Sequence, residues 1–150
     1  MKTLVIIDMQ ETYIGDDNDW LVPNVIDLIH EFGQKQWPII LVEFEHACSE
    51  TDAEIMSALW EYDRLVRYVE KNRVSGAAEV LYELRKTQWP KDLVVCGVYG
   101  NECVAATAEE LVKLEPKINV EIRRDCVWPA FAYYYGLDDE QVERLQLVNS

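Results

Sequence analysis

A cysteine near the start of a helix is the feature of this sequence that is best suited to chemistry. A short apolar run, Val94–Val98, leads into a turn that contains Gly100, and an alanine-rich segment then begins near Cys103. The first backbone N–H groups of a helix have no intrahelical partner, and the helix dipole favours negative charge beside them. A thiol in this position is shifted toward the thiolate, which attacks carbonyl carbon. The segment therefore predicts that Cys103 is a nucleophile.

Apolar runs alternate with helical patterns along the chain and supply the elements that must position this cysteine. Strands are predicted at Leu4–Ile7, Pro38–Val42, Leu65–Val69, Leu93–Val98 and Ile118–Ile122, and helices at 23–33, 53–59, 77–84, 103–114 and 138–147. This alternation predicts an α/β fold, a doubly wound, Rossmann-like parallel sheet with helices on both faces. No linker divides the sequence, so we expect a single domain over residues 1–150.

Polar residues stand where the predicted strands end. Asp8 ends the first strand, and His46 closely follows the second. Lys71 follows the third strand, Cys103 follows the fourth, and Asp125 follows the last. Ligands bind beyond the carboxyl ends of the strands in an open parallel sheet. We therefore expect these side chains to converge on one crevice.

Composition excludes several classes of function. The formal net charge of −14 repels phosphate backbones, so we expect no binding to nucleic acid. The apolar runs are too short for a membrane span, and the first residues do not form a signal segment, so we expect no membrane partner and a cytoplasmic location. The cysteines, at 48, 96, 103 and 126, lack metal-binding spacing and are expected to be free thiols.

Three segments of the sequence, taken in their order along the chain, match the motifs of a known protein family. Leu4–Gln10 is a strand that ends in Asp-x-Gln, and Lys71–Ala77 is a lysine followed by a small-residue helix start. Gly97–Ala108 contains the sequence Cys-Val-x-x-Thr-Ala, and Asp125–Cys126 is a weaker fourth match. In these segments the chain resembles the isochorismatase-like cysteine hydrolase superfamily. The resemblance extends over most of the chain and implies the same doubly wound fold.

The resemblance also implies a set of functional groups. It implies a catalytic triad of Asp8, Lys71 and Cys103. It implies a cis peptide bond between Val98 and Tyr99, just before the nucleophile. The turn in this family directs backbone N–H groups at the substrate oxygen, so the N–H groups of Tyr99 and Cys103 are the expected oxyanion site.

Pocket residues and partners follow from the same resemblance. Tyr13, His46 and Gly100 are the candidate substrate-pocket residues. Relatives that hydrolyse nicotinamide bind a metal through Asp-x-His and a further histidine. Here no second histidine follows His46, and His30 lies on the first predicted helix, so we expect neither a metal nor a cofactor. The expected partners are a small-molecule substrate and further copies of the chain, as a dimer or tetramer.

These residues predict a metal-independent hydrolase of a small amide or related C–N bond. Cys103 attacks the carbonyl carbon to form a thioester, and Asp8 moves the protons. A lysine at about 4 Å contributes roughly 4 kcal/mol at an effective dielectric of 20. We therefore expect Lys71 to lower the pKa of the Cys103 thiol from its usual value of about 8.5.

Two alternatives remain open. Isochorismatase itself cleaves a vinyl ether and lacks the nucleophilic cysteine, so Cys103 argues against that reaction. A catalytically inactive binding or scaffold protein with the same fold is the other alternative. It is kept open by the short segment 47–70, where relatives often carry substrate contacts or part of a lid.

Overall fold

Six strands form one sheet in the computed structural model, which describes residues 1–149. The strands are β1 (Thr3–Ile7), β2 (Ile39–Phe44), β3 (Val66–Lys71), β4 (Asp92–Val98), β5 (Asn119–Trp128) and β6 (Leu145–Val148). The helices are α1 (Leu21–Gln34), α2 (Ala53–Trp60), α3 (Ala77–Thr87), α4 (Cys103–Leu114) and α5 (Asp139–Glu143). Within residues 1–149, none of the helices is both long and apolar enough to cross a membrane.

The sheet is parallel throughout and is covered on both faces. Its strand order is β3-β2-β1-β4-β5-β6. Leu4 and Ile6 of β1 pack in a cluster with residues of α1 and α2, whereas Val5 and Ile7 pack in a second cluster with residues of α3 and α4. All four side chains are fully buried, and each such burial stabilises the fold by about 1.5–3 kcal/mol. The predicted doubly wound α/β fold is therefore confirmed.

The strand order reverses between β1 and β4, and this reversal creates the crevice. The chain builds β2 and β3 on one side of β1 and then returns to place β4 on the other side. Gly97 of β4 has a φ of 122°, and a Cβ there would lie 2.0 Å from the carbonyl oxygen of Ile7. Only glycine lets the two strand ends approach this closely. The crevice at such a switch point is where doubly wound proteins bind ligands.

The predicted helix over 138–147 is wrong in its second half. The helix α5 covers only Asp139–Glu143, and the chain continues as β6, which pairs in parallel with β5. Leu145 is buried, and Arg144 donates hydrogen bonds to carbonyl groups near the end of α4. The open edge of β5 offers backbone partners that a longer helix would leave unpaired, so the tertiary contact decides the conformation.

Three other strand ends differ from the prediction, and the first is that of β2, which runs to Phe44 rather than to Val42. The strand β3 runs to Lys71, two residues beyond the predicted end at Val69. The strand β5 runs to Trp128, so Asp125 and Cys126 lie within it rather than after it. Cys126 is buried in the apolar cluster that also contains residues of α1.

Candidate active site

Asp8 follows β1 directly and occupies the crevice. Its φ of 53° is uncommon for a residue other than glycine and requires support from the surrounding structure. That support includes the hydrogen bond from its backbone N–H to the carbonyl oxygen of Val42, at 3.1 Å. Only 2% of the Asp8 side chain is exposed. The turn therefore holds a carboxylate almost out of contact with water.

Lys71 ends β3, two strands away from β1, or about 10 Å across the sheet. Its long side chain spans this gap, and Nζ lies 3.0 Å from Oδ2 of Asp8. Nζ also donates to the carbonyl oxygens of Arg73 at 3.1 Å and Val74 at 2.6 Å, and it lies 5.1 Å from the centre of the Phe44 ring. All three ammonium protons thus have acceptors, which is the condition for burying such a charge.

Cys103 is the first residue of α4 and is partly exposed. Its thiol lies close enough to the Asp8 carboxylate that each group affects the pKa of the other. Oδ1 of Asp8 is buried and has no hydrogen-bond partner among residues 1–149. The structure thus brings Asp8, Lys71 and Cys103 together at the carboxyl end of the sheet.

Burial is the largest influence on the pKa of both Asp8 and Cys103. It raises the pKa of Asp8 above its ordinary value of 3.8, while the charge of Lys71 and the Cys103 thiol act to lower it. Burial, followed by the charge of Asp8, raises the pKa of the Cys103 thiol to about 11. The charge of Lys71 does lower this pKa, but burial and the Asp8 charge raise it by more, so the expected net lowering below the usual value is wrong. At neutral pH the site therefore holds a thiol beside an ion pair.

The turn between β4 and α4 is tightly constrained. The peptide bond between Val98 and Tyr99 is cis, as expected. The N–H of Gly100 donates to the carbonyl oxygen of Trp128 at 3.2 Å. A Cβ on Gly100 would lie 2.0 Å from the carbonyl oxygen of Pro129, so any larger residue would displace one of the two segments. Gly100 therefore shapes the turn through its lack of a side chain.

Backbone donors lie beside the sulfur. A hydrogen bond from the backbone of Tyr99 to the Cys103 sulfur acts to lower the pKa of the thiol. Glu102 precedes α4 without forming a side-chain cap. The N–H of Cys103 is among those that a helix leaves without an intrahelical partner. The two N–H groups expected to bind a substrate oxygen are thus contributed by the residues that flank this turn.

Tyr13 lies near the candidate site. It is half-buried in a 3-10 turn after β1, and its ring meets that of Tyr99 edge-on with centres 5.9 Å apart. Burial raises the pKa of the Tyr13 phenol, and the charges of Asp8 and Cys103 raise it further. The Tyr13 phenol therefore lies close enough to Asp8 and Cys103 for their charges to affect its pKa.

His46 lies in an exposed turn after β2. Its side chain is 63% exposed and its Nε2 is 3.3 Å from a carboxylate oxygen of Glu45. Its ring packs edge-on against Phe44, whose ring in turn contacts the ammonium of Lys71. His46 is therefore separated from the ion pair by an aromatic ring. In the part of the chain that the structure describes, no three His, Cys, Asp or Glu side chains are grouped so as to hold a metal.

Some contacts of the site were missed in the sequence analysis. The carbonyl groups of Arg73 and Val74, which accept from Lys71, are backbone groups and leave no signal in the sequence. The side chain of Gln10 exchanges two hydrogen bonds, each of 3.0 Å, with the backbone of Phe44 and so fixes the end of β2. The Asp-x-Gln motif did contain a signal for Gln10, because a buried amide needs partners.

Two of the surface grooves lie away from these residues. A groove of about 650 Å³ lies between the ends of α1 and α2 and is lined by Gly33, Trp60 and Tyr62, among others. Another, of about 360 Å³, is lined by Lys2 and Asp92 at the amino ends of the strands. Neither groove is lined by Asp8, Lys71 or Cys103. The chemistry of the side chains, not the size of the groove, therefore identifies the candidate site.

Solved structures with the same fold include two enzymes with related names. The nicotinamidase from Staphylococcus aureus is 17% identical and has a TM-score of 0.73, with 84% of this chain and 81% of that chain covered. The pyrazinamidase/nicotinamidase from Streptococcus mutans is 13% identical and has a TM-score of 0.76, with 99% and 100% covered. At these identities the likeness shows a shared fold.

A third similar structure is a protein of Escherichia coli described as an octameric hydrolase of unknown specificity. It is 15% identical and has a TM-score of 0.71, with 99% of this chain and 74% of that chain covered. No curated protein sequence matches the chain. The model of the isochorismatase domain matches residues 2–134, which is most of the sequence. The chain therefore belongs to the isochorismatase family.

Proposed function

We propose that this protein is a metal-independent cysteine hydrolase that cleaves a small amide or a related C–N bond through a thioester on Cys103. One observation carries the proposal. A buried ion pair, with Lys71 Nζ 3.0 Å from Asp8 Oδ2, lies beside the partly exposed thiol of Cys103 at the start of a helix. A carboxylate with one oxygen held by a cation and the other free is suited to accept a proton from that thiol.

In the first half-reaction the thiol becomes the nucleophile only as it loses its proton. Because the pKa of Cys103 is about 11, little thiolate exists at neutral pH, and Asp8 must remove the proton as sulfur attacks the carbonyl carbon. The carbonyl π bond opens to give a tetrahedral oxyanion. Asp8 then delivers the proton to the nitrogen, the C–N bond breaks, and the amine leaves an acyl thioester.

In the second half-reaction water replaces the amine. Asp8, again a carboxylate, accepts a proton from water as the water oxygen attacks the thioester carbon. The C–S bond then breaks, and the proton passes to sulfur. The acid product leaves, and the thiol and the carboxylate are restored. One proton of the water thus passes through Asp8 to sulfur, and the other stays with the acid product.

Lys71 keeps this proton carrier charged and oriented. Burial alone raises the pKa of Asp8, and the Lys71 charge opposes that effect. The ammonium holds Oδ2, so the unpartnered oxygen, Oδ1, is the one available to the thiol and the substrate. We assign Lys71 a role in orientation and charge balance rather than in proton transfer, since its three protons already bind acceptors.

The substrate oxygen binds the N–H groups of Tyr99 and Cys103 in this proposal. Such donors, fixed before the reaction, are worth about 3–4 kcal/mol each when they meet developing charge. The ring of Tyr13 and the backbone of Gly100 bound the space beside the sulfur, and His46 stands further out. The proposal places a small substrate in this space.

The proposal has support from the comparisons only at the level of fold and family. The Staphylococcus and Streptococcus proteins are named as amide hydrolases, which agrees with C–N bond cleavage. The octameric description of the Escherichia coli neighbour agrees with our expectation of a homo-oligomer. A cytoplasmic location remains a prediction.

A panel of small primary amides, carbamoyl compounds and ureido compounds tests the proposal. We expect wild-type protein to release ammonia from at least one compound, equally with and without EDTA. Cys103→Ser and Asp8→Asn should lose this activity, and Cys48→Ser, which alters an exposed thiol, should keep it. Loss of activity with EDTA would contradict metal independence.

Two other outcomes would favour the alternatives. Cleavage of vinyl ethers without ammonia release from any amide indicates an ether hydrolase. Binding of panel compounds without turnover of either class indicates a non-catalytic member of the fold.

A further inference from the structure

The helix that carries the nucleophile also holds the segment that binds Lys71. Thr107 lies one turn after Cys103 on α4 and is fully buried. Its hydroxyl oxygen accepts a hydrogen bond from the backbone N–H of Gly76 at 2.9 Å. Gly76 immediately precedes α3, so this bond joins the starts of two helices.

The segment around Gly76 is also where Lys71 is held. Two of the three acceptors of the Lys71 ammonium are the carbonyl oxygens of Arg73 and Val74. A Cβ on Gly76 would lie 3.2 Å from Cδ of Lys71, so the aliphatic part of the lysine passes directly along this glycine. Movement of residues 73–76 would therefore move the ammonium.

A second residue of α4, Glu110, also holds residues 73–76. Oε1 of Glu110 accepts from the hydroxyl of Ser75 at 3.1 Å and from the guanidinium of Arg73 at 3.3 Å. Glu110 lies three residues after Thr107, so the two side chains share one face of α4. Ser75 in turn accepts from the N–H of Ala77.

We propose that Thr107 is a positioning residue that fixes the ammonium of Lys71 relative to the sulfur of Cys103, by tying residues 73–76 to the helix that begins with that cysteine. The importance of this hydrogen bond for catalysis rests on the proposed function. Its effect on the position of Lys71 does not. Among the hydrogen bonds of residues 1–149, that of the Thr107 side chain goes to Gly76 and none goes to the ion pair or the thiol, so its effect is transmitted through Gly76 and the two carbonyl groups that bind Lys71.

The rate at which iodoacetamide alkylates Cys103 reports this geometry without any turnover. The charge of Lys71 favours the thiolate, which is the species that reacts. Thr107→Val removes the acceptor and leaves a buried N–H unpaired, so the segment must shift. We expect the rate at pH 9 to fall about threefold to tenfold, because one pKa unit changes the thiolate fraction about tenfold.

Three further variants sharpen the test. Thr107→Ser keeps the acceptor and should restore most of the wild-type rate. Thr87→Val is the matched control, since its hydroxyl donates to the Glu83 carbonyl at the far end of α3 and should not affect labelling. Glu110→Ala should slow labelling about twofold, although loss of its negative charge alone would favour the thiolate and speed the reaction.

The outcomes separate this inference from the proposed function. A rate of Thr107→Val equal to that of wild type, or a slow Thr107→Ser, overturns the positioning role even if amides are hydrolysed. Slow labelling that is rescued by serine supports the role even if no amide is hydrolysed. Should Thr107→Val fail to fold, unchanged or faster labelling of Glu110→Ala overturns the proposal, and slower labelling supports it.

Discussion

Replacing Lys71 with methionine removes the cation from the buried pair while keeping a side chain of similar length. The Asp8 carboxylate, 2% exposed, then loses the ammonium at 3.0 Å. The carbonyl groups of Arg73 and Val74 lose a donor as well. A buried charge that loses its partner destabilises a protein by about 3–5 kcal/mol.

The loss in the free energy of unfolding is limited because Asp8 can bind a proton and become neutral. Protonating a carboxyl of pKa 3.8 at pH 7 costs about 4.4 kcal/mol, which is 3.2 pKa units at about 1.36 kcal/mol each. Burial already raises the pKa of Asp8, so the true cost is below this limit. We expect Lys71→Met to lower the free energy of unfolding at pH 7 by about 3–4 kcal/mol.

The loss should shrink as the pH falls. In the variant the pKa of Asp8 lies further above 3.8, so the folded state binds a proton that the unfolded state lacks. Stability therefore decreases as the pH rises from about 3.8 to the folded pKa, and it is regained on lowering the pH. At pH 5 the variant should recover about half of the deficit relative to wild type.

Urea denaturation at pH 7 and pH 5 measures these quantities. Lys86→Met is a matched control, because that lysine is 54% exposed and should change stability by less than about 0.5 kcal/mol. Asp8→Asn combined with Lys71→Met should be more stable than the two single variants predict by addition, with a coupling of at least about 1.5 kcal/mol. A loss below about 1 kcal/mol in Lys71→Met, or an additive double variant, would refute the reasoning.

Three further predictions concern the same crevice and the C-terminal strand. Asp8→Asn should abolish hydrolysis yet speed iodoacetamide labelling of Cys103 at pH 8, because the Asp8 charge raises the thiol pKa; slower labelling would contradict this. Gly97→Ala should destabilise the protein by at least about 2 kcal/mol in urea, since the new Cβ meets the Ile7 carbonyl, and an unchanged midpoint would refute the close approach. Arg144→Ala should cost about 1–3 kcal/mol and speed hydrogen exchange in β6, whereas unchanged exchange would show that β6 does not depend on that side chain.

The centre of the sheet is the part of the fold that the sequence predicts well. The β1 run and the run in β4 are apolar on both faces, which is typical of parallel strands covered on both sides. The edge strand β6 lies where the sequence predicts a helix. Its four residues alternate too briefly to compete with the helical pattern before them, and the edge of β5 that stabilises it is a tertiary feature.

The residues of the candidate site were also accessible from the sequence, but their electrostatics were not. Asp8 and Lys71 can be identified from short motifs, because each motif consists of a strand and the residues that directly follow it in the sequence. The pKa of Cys103 depends on how deeply the thiol is buried and on how far the carboxylate cancels the ammonium. Neither quantity is local in sequence, so the sequence predicts a lowered pKa, whereas burial in the structure raises it.

The central claim is that Cys103 attacks the substrate with Asp8 as its base. The most direct measurement is the initial rate of hydrolysis of the best amide from the panel by wild type and by Cys103→Ala, with folding checked by circular dichroism. We predict that the variant falls at least about a thousandfold, to the level of buffer. A folded variant that retains a rate within about tenfold of wild type would contradict the account.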